Sequence, residues 1–214
     1  MVIAPHPDDE VLGCGGSIAK HAKNGDIVEL CIVTKAYRPD WSAEFLRARP
    51  KEIRAASRAL GIAKVAELGF PTVKLDKIPQ KELNDALAKV VSKARPDVLY
   101  IPHFGDLNKD HRLVSEAAMV AARPSSGPAM KVLSYETLSE TDWGRPLATF
   151  IPNHFVDITG TMDAKLKAMG AYRSELRKFP HPRSLEAIEA LAMLRGSECG
   201  RNRAEAFHLI REVL

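Results

Sequence analysis

Four ionisable residues follow the first apolar run of the sequence, in the stretch "VIAPHPDDEVLG". They are His6, Asp8, Asp9 and Glu10, and they stand where a buried strand is expected to end and a helix to begin. A proline on each side of His6 restricts the backbone, so that His6 and Asp9 can point toward one place. An imidazole nitrogen and a carboxylate oxygen are ligands that zinc accepts readily. This turn therefore predicts part of a metal site.

A second polar cluster, "PHFGDLNKDHR" at residues 102–112, contains the candidate for a third ligand, His111. His6, Asp9 and His111, here called the metal trio, would leave one coordination position open, as catalytic zinc sites do. Asp8 would then stand beside the metal without being a ligand. A carboxylate in that position can take a proton from a metal-activated water and return it to a leaving group. The pattern indicates a hydrolase with Zn²⁺ as the metal and Fe²⁺ as the alternative.

The two clusters need a scaffold that brings distant loops together, and the rest of the chain predicts one. Short β-branched or apolar runs alternate with longer segments of helical period, which is typical of a parallel sheet flanked by helices. The predicted strands are residues 2–4, 27–34, 65–68, 98–102, 131–135 and 154–157. The predicted helices are residues 10–23, 43–60, 80–94, 111–122, 162–174 and 184–198. Ligands of such sheets bind beyond the carboxyl ends of the strands, where both clusters fall.

Composition narrows the class of protein. With 214 residues, 45% of them hydrophobic, the chain can form one substantial core, so a single domain is expected. A net charge of +4 and an aromatic content of 6% argue against a nucleic-acid-binding surface. We find neither an apolar stretch long enough for a membrane span nor a signal-peptide pattern, and we expect a cytoplasmic protein. Cys14, Cys31 and Cys199 lack C-x-x-C spacing and predict neither disulfides nor a cysteine zinc site.

The motifs "APHPDDEVLGCGG" and "GDLNKDHR" together resemble the paired signatures of the LmbE-like or PIG-L superfamily, zinc-dependent deacetylases of glucosamine-containing substrates. The similarity continues through "RPKEIRAASRALGI", "LGFP" and "PHPRSLEAIEALAMLRGSECGRNRAEAF". The resemblance implies one Rossmann-like α/β domain over residues 1–214, with a mainly parallel sheet, helices on both faces and assembly into homo-oligomers. We expect residues from about 162 to 214 to form a helical segment that packs on this α/β body.

The resemblance also assigns roles within the two motifs. The metal trio matches the family's ligands, and Asp8 matches its general base. Glu10 is expected to support the turn, and Asp110 to orient the catalytic groups. The run "GCGG" at residues 13–16 lacks the spacing of a phosphate-binding loop, so we expect its small residues to allow close packing of a helix on the sheet.

One position departs from the family pattern. Asn108 stands where many members have a histidine that is thought to polarise the substrate carbonyl. An asparagine amide can donate a hydrogen bond to an oxyanion, which is worth roughly 3 kcal/mol, but it carries no positive charge. We therefore predict Asn108 as a catalytic donor and consider His103 or His181 for the cationic role.

The predicted substrate contacts come from three segments and are Arg49, His103, Asp106, His181 and Arg195. Arg49 lies where family members often place substrate-contacting arginines, although the arginines of this segment also fit the solvated face of a helix. His103 and Asp106 flank the loop of the second motif. His181 and Arg183 precede the last predicted helix, and Arg195 lies near its end. Basic groups there fit either a phosphate or sugar hydroxyl or a structural ion pair.

These features predict a metal-dependent amidase that removes the acetyl group from an N-acetylated amino sugar, a small molecule or part of a glycoconjugate. Two alternatives remain open at this point. One is a nucleotide- or sugar-binding module without catalysis, and the other is an amidase that cleaves an amide larger than acetyl.

Overall fold

The structure is a computed structural model that describes residues 1–124 and 130–213, and within them seven strands form one sheet. The strands are β1 (Val2–Ala4), β2 (Glu29–Lys35), β3 (Lys64–Pro71), β4 (Val98–Pro102), β5 (Lys131–Tyr135), β6 (His154–Asp157) and β7 (Ala204–Arg211). Their order in the sheet is β3-β2-β1-β4-β5-β7-β6. The strands predicted at residues 2–4, 98–102, 131–135 and 154–157 are confirmed with those bounds.

Six helices accompany the sheet in the described chain. They are α1 (Asp9–Lys23), α2 (Ala43–Leu60), α3 (Gln80–Ala94), α4 (Lys109–Ala121), α5 (Met162–Ala171) and α6 (Leu185–Cys199). Local sequence explains several of their ends. Ser42 caps α2 by accepting the Phe45 amide, and Gly61 ends that helix in the left-handed conformation. Ser184 caps α6 in the same way through the Ala187 amide.

The topology places two loops at one crevice. β1 pairs in parallel with β2 on one side and with β4 on the other, so the strand order reverses between β1 and β4. Such a reversal opens a crevice at the carboxyl ends of the strands, where α/β proteins bind their ligands. The turn after β1 leads into α1, and the loop after β4 leads into α4. Both predicted motifs therefore meet at this crevice.

The C-terminal part of the fold corrects the prediction of a helical segment over residues 162–214. After α6 the chain returns to the sheet as β7, which pairs antiparallel with β5 and with β6. The prediction is wrong for Ala204–Arg211, because this segment pairs with both β5 and β6. It therefore lies between two strands that follow each other in the sequence. The sequence places β6 after β5 and gives no local sign that the two strands are separated.

Helices cover both faces of the sheet, as predicted. On one face Ile18 of α1 and Ile53 of α2 belong to a core cluster with residues of α5 and α6. On the other face Leu87 of α3 and Val114 of α4 form a second cluster. The small residues at the start of α1 allow close packing, since a Cβ atom on Gly13 would lie 2.2 Å from the Tyr135 ring. No helix in the described ranges has the length and apolar character needed to cross a membrane.

A buried ion pair repairs a break in α1. The helix is interrupted at Cys14, whose φ of −143° is not helical. The Glu205 carboxylate of β7 accepts the buried amides of Gly16 and Ser17, which follow the break, at 2.8 and 2.7 Å. Lys165 of α5 donates to Glu205 at 2.6 Å and to a carbonyl before the break at 2.9 Å. The two charged side chains thus supply the hydrogen bonds that the helix lacks.

Candidate active site

The metal trio converges at the crevice between β1 and β4. His6 lies on the turn after β1, Asp9 begins α1, and His111 lies in the first turn of α4. His6 Nδ1 is 3.1 Å from His111 Nε2 and 3.3 Å from Asp9 Oδ2, and His111 Nε2 is 3.2 Å from the same oxygen. Three ligands placed about 2.1 Å from a tetrahedral zinc ion lie about 3.4 Å from one another. The separations of the trio therefore fit one small divalent cation.

Two carboxylates hold the imidazole rings of the trio in place. Asp110 Oδ2 lies 3.1 Å from His6 Nε2, and Asp106 Oδ2 lies 3.1 Å from His111 Nδ1. Asp110 is itself held by the Val73 amide at 2.6 Å. A carboxylate on the outer nitrogen of a histidine fixes the ring so that the inner nitrogen faces the metal. Asp110 thus contacts the outer nitrogen of His6, and Asp106 contacts that of His111.

The electrostatics of the trio match a cation site. Burial lowers the pKa of His6, but hydrogen bonds to Asp110 and Asp9 outweigh this effect and raise the pKa to about 9. Burial acts to raise the pKa of Asp9, yet His111 and His6 together hold that pKa well below its usual range. Burial acts to lower the pKa of His111, but the Asp9 charge and the hydrogen bond to Asp106 outweigh burial and raise the pKa well above its usual value. A divalent cation must displace the imidazole protons, so its affinity should weaken as the pH falls.

Asp8 stands at the cap position of α1 in a strained conformation. Its φ is 113° and its ψ is −22°, which costs a residue other than glycine about 1–3 kcal/mol. Its side chain does not cap the helix, and Oδ2 is buried with no hydrogen-bond partner within residues 1–124 and 130–213. The nearest cation is Arg183, whose Nη1 lies 3.7 Å away. Burial raises the pKa of Asp8 well above its ordinary value, partly opposed by Arg183.

Glu10 supports this turn, as expected, through its own carboxylate. Oε2 of Glu10 accepts the Asp8 amide at 3.1 Å, and Oε1 accepts the Tyr172 hydroxyl at 2.6 Å. Glu10 and Tyr172 are both fully buried. Burial raises the pKa of Glu10 to about 7.

A cavity of about 260 Å³ is lined by Asp8 and by His6, one member of the trio. One wall comes from α2 and the loop before it, and includes Trp41, Phe45 and Leu46. The lining is also charged, because Glu175 binds Arg183 Nη1 at 2.6 Å and pairs with Arg49 of α2. All three of these charged residues line the cavity, and the Arg49 guanidinium lies 4.3 Å above the Phe45 ring. The cavity lining therefore combines apolar and ionic side chains.

Asn108 lines the cavity and also caps α4. Its Oδ1 accepts the Asp110 amide at 3.0 Å, which leaves the amide nitrogen as the free donor. His103 does not line the cavity; its ring packs 4.6 Å from the Phe104 ring and 5.2 Å from the Phe150 ring. Burial lowers the pKa of His103, which disfavours the protonated ring. The position of His103 outside the cavity lining and its lowered pKa do not support the cationic role considered for it.

Three other predicted substrate contacts also lie away from the cavity, which corrects their assignment. Asp106 is fully buried and holds His111. His181 is exposed, and its Nδ1 accepts the Arg183 amide at 3.0 Å. Arg195 pairs with Glu136 at 2.7 Å and with Glu198 at 2.9 Å, the ion-pair role that the sequence left open.

Glu175 and Arg183 line the cavity, although neither is among the predicted site residues. Arg183 is two positions beyond His181, and the basic segment before α6 was the right signal, but the sequence could not tell which side chain turns inward. Glu175 follows α5 and carries no motif that would single it out. Arg49 is the predicted substrate contact that the structure does place in the cavity wall.

Comparison with known proteins agrees with the motifs. The family described as "PIG-L: GlcNAc-PI de-N-acetylase" matches residues 1–122. An uncharacterized deacetylase, YaiS, from Escherichia coli is 30% identical over 81% of this chain and 90% of its own length. A diacetylchitobiose deacetylase from Thermococcus kodakarensis is 27% identical over 98% of this chain and 82% of its own length.

A solved structure supports the fold over the whole chain. The conserved protein TT1542 from Thermus thermophilus superposes with a TM-score of 0.81 at 29% identity, covering 100% of this chain and 94% of the other. The sheet order, the two motifs at its crevice and these similarities agree. The chain belongs to the PIG-L (LmbE-like) family, whose relatives include deacetylases of N-acetyl sugars.

Proposed function

We propose that this protein is a metal-dependent hydrolase that removes the acetyl group from an N-acetylglucosamine-like amino sugar, free or within a glycoconjugate. The observation that carries the proposal is the convergence of the metal trio beside a buried carboxylate oxygen that has no hydrogen-bond partner in the described chain. The relatives that are named as sugar deacetylases support the choice of substrate class.

The donor set suits Zn²⁺, with Fe²⁺ as the alternative, and His6, Asp9 and His111 would hold it. When bound, a divalent cation would polarise the acetyl carbonyl and make a water molecule more acidic. Asp106 and Asp110 would keep the two imidazole rings aimed at the cation.

The side chains at the base of the cavity would carry the protons of the reaction. Asp8 accepts a proton at Oδ2 as water attacks the acetyl carbon, and it returns this proton to the sugar nitrogen as the amide bond breaks. Acetate and a free amine leave. The Asn108 amide donates to the acetyl oxygen as that oxygen gains negative charge. Arg183 is the cation beside Asp8. It would supply the positive charge that the sequence analysis considered for His103 or His181.

The cavity walls would bind the sugar. Trp41 and Phe45 offer an apolar surface for one face of a sugar ring. Arg49 and Glu175 offer a donor and an acceptor for hydroxyl groups. A cytoplasmic location and a homo-oligomeric state are further predictions, checked by cell fractionation and by sedimentation of the purified protein.

The direct test is an amine-release screen with the purified protein loaded with Zn²⁺ or Fe²⁺. The substrates are N-acetylglucosamine, N,N'-diacetylchitobiose, N-acetylated sugar nucleotides and analogues with longer acyl groups. We expect acetate and amine in equal amounts from at least one N-acetyl sugar. Preference for a longer acyl group would favour the larger-amide alternative, and binding without amine release would favour the non-catalytic module.

A further inference from the structure

The strained backbone of Asp8 must be held in place by its surroundings. A residue other than glycine keeps a φ of 113° only where neighbouring contacts fix it. At a helix start a carboxylate would ordinarily accept one of the first amides, but the Asp8 side chain does not. Asp8 instead lines the cavity, and its buried Oδ2 lies 3.7 Å from Arg183 Nη1. The groups that prevent the turn from relaxing are therefore important for the site.

One carboxylate connects the Asp8 backbone to the residue that directly follows α5. Glu10 accepts the Asp8 amide with one oxygen and the Tyr172 hydroxyl with the other. The side chain of Glu10 has several rotatable bonds, and the hydrogen bond from Tyr172 selects one orientation among them. Without that hydrogen bond, Glu10 is free to release the Asp8 amide.

Tyr172 is well suited to act as a fixed anchor. It directly follows α5, and its amide donates to Met169 at 3.0 Å. Its ring is fully buried in the core cluster shared by α1, α2, α5 and α6. The position of the hydroxyl is thus set by packing in the core and not by the site.

We propose that Tyr172 is a positioning residue for Asp8, acting through Glu10 to keep the Asp8 backbone strained and its carboxylate directed into the cavity. This inference rests on the proposed function, in which Asp8 is the general base. It adds a residue that lies outside both motifs and does not contact the cavity.

The first test is Tyr172→Phe with Tyr100→Phe as the matched control. Tyr100 belongs to the same core cluster, and its hydroxyl bonds to His21 Nε2 at 2.9 Å, near the far end of α1. With N,N'-diacetylchitobiose or the best substrate of the screen, Tyr172→Phe should lower kcat by about tenfold or more, since the buried hydrogen bond from Tyr172 to Glu10 is lost. KM and zinc content should not change. Tyr100→Phe should keep kcat near the wild-type value.

The second test separates position from charge at Glu10. Glu10→Gln can still accept the Asp8 amide with its oxygen and donate to the Tyr172 hydroxyl with its nitrogen. Glu10→Ala can do neither. We expect kcat of Glu10→Gln to exceed that of Glu10→Ala by about tenfold. The double variant Glu10→Ala/Tyr172→Phe should be no slower than Glu10→Ala alone, because both changes break one connection.

A third measurement does not depend on activity. In crystal structures of the wild type and Tyr172→Phe, the Asp8 φ should leave the positive region only in the variant. If the wild type releases no amine from any substrate, the proposed function fails, and this comparison still tests the positioning. Unchanged kcat in Tyr172→Phe, loss of its zinc, an unchanged Asp8 backbone, or equal kcat values for the two single Glu10 variants would overturn the inference.

Discussion

The fold contains two buried groups of charged residues that have opposite hydrogen-bonding character. In one, Lys165 and Glu205 bridge the break in α1, and each charged atom has a protein partner at 2.6–2.9 Å. In the other, the ligand atoms of the metal trio face one another, and Asp8 Oδ2 has no hydrogen-bond partner in the described chain.

The difference distinguishes buried charges that stabilise the fold from buried charges that are available to a ligand. A buried ion pair that closes its own hydrogen bonds contributes to a defined local structure. Buried polar atoms without partners cost free energy unless a ligand satisfies them. Burial of charge is common to both groups and does not identify a site. A buried polar atom without a hydrogen-bond partner, next to converging ligand atoms, is the feature that indicates a candidate site.

The largest effect is expected at the metal trio itself. His111→Ala removes one of three ligands, so the protein should lose its bound metal, and turnover should fall by at least about 10⁴-fold. Metal analysis and amine release measure the two losses. Full metal content in this variant would mean that His111 is not a ligand.

A variant at Asp8 should lose turnover but keep its bound metal. Asp8→Ala removes the proposed proton acceptor and leaves the trio intact, so turnover should fall by about 10²- to 10⁴-fold. Zinc content measured on the same sample should stay near one ion per chain. Near-normal turnover would show that another group is the base.

A change in the Lys165–Glu205 ion pair should lower stability and leave metal binding unchanged. Lys165→Met leaves Glu205 buried without a counter-charge, and the free energy of unfolding should fall by about 3–5 kcal/mol. Denaturant unfolding measures this loss, and zinc content should be unchanged below the transition. Loss of zinc from the folded variant would mean that the two groups are not independent.

A smaller effect, on metal affinity, is expected at Asp106, which holds the outer nitrogen of His111. Asp106→Asn replaces the carboxylate that holds His111 Nδ1, so zinc affinity should fall by about 10- to 100-fold. Competition with a chelator measures this affinity. KM for the sugar should stay constant, because Asp106 lies outside the cavity. An increase in KM with unchanged zinc affinity would restore the substrate-binding role that the sequence predicted.

The sequence predicted the parts of the site that depend on local geometry. His6, Asp8 and Asp9 share one turn after a strand, and His111 follows another strand, so the topology of a parallel sheet brings them together. The helix starts were predictable for the same reason, because a cap such as Ser42 acts within its own first turn. Where a strand end and a motif coincide, the sequence carries the position of the side chain.

The remaining residues depend on contacts between distant segments. Asp106 and Asp110 are alike in sequence, and only the packing of α4 decides which histidine each one holds. Arg183 points inward because Glu175 and Glu140 attract its guanidinium. No periodicity or spacing in the chain encodes such choices.

The position of β7 has a consequence for the order in which the molecule can be assembled. During synthesis β5 and β6 leave the ribosome before the strand that joins them, so each exposes an unpaired edge until β7 arrives. Glu205 arrives with the same strand, so α1 stays unsupported at its break for just as long. The nascent chain therefore passes through a stage in which its edges can pair with other chains, and a chaperone that shields them would raise the yield of native protein.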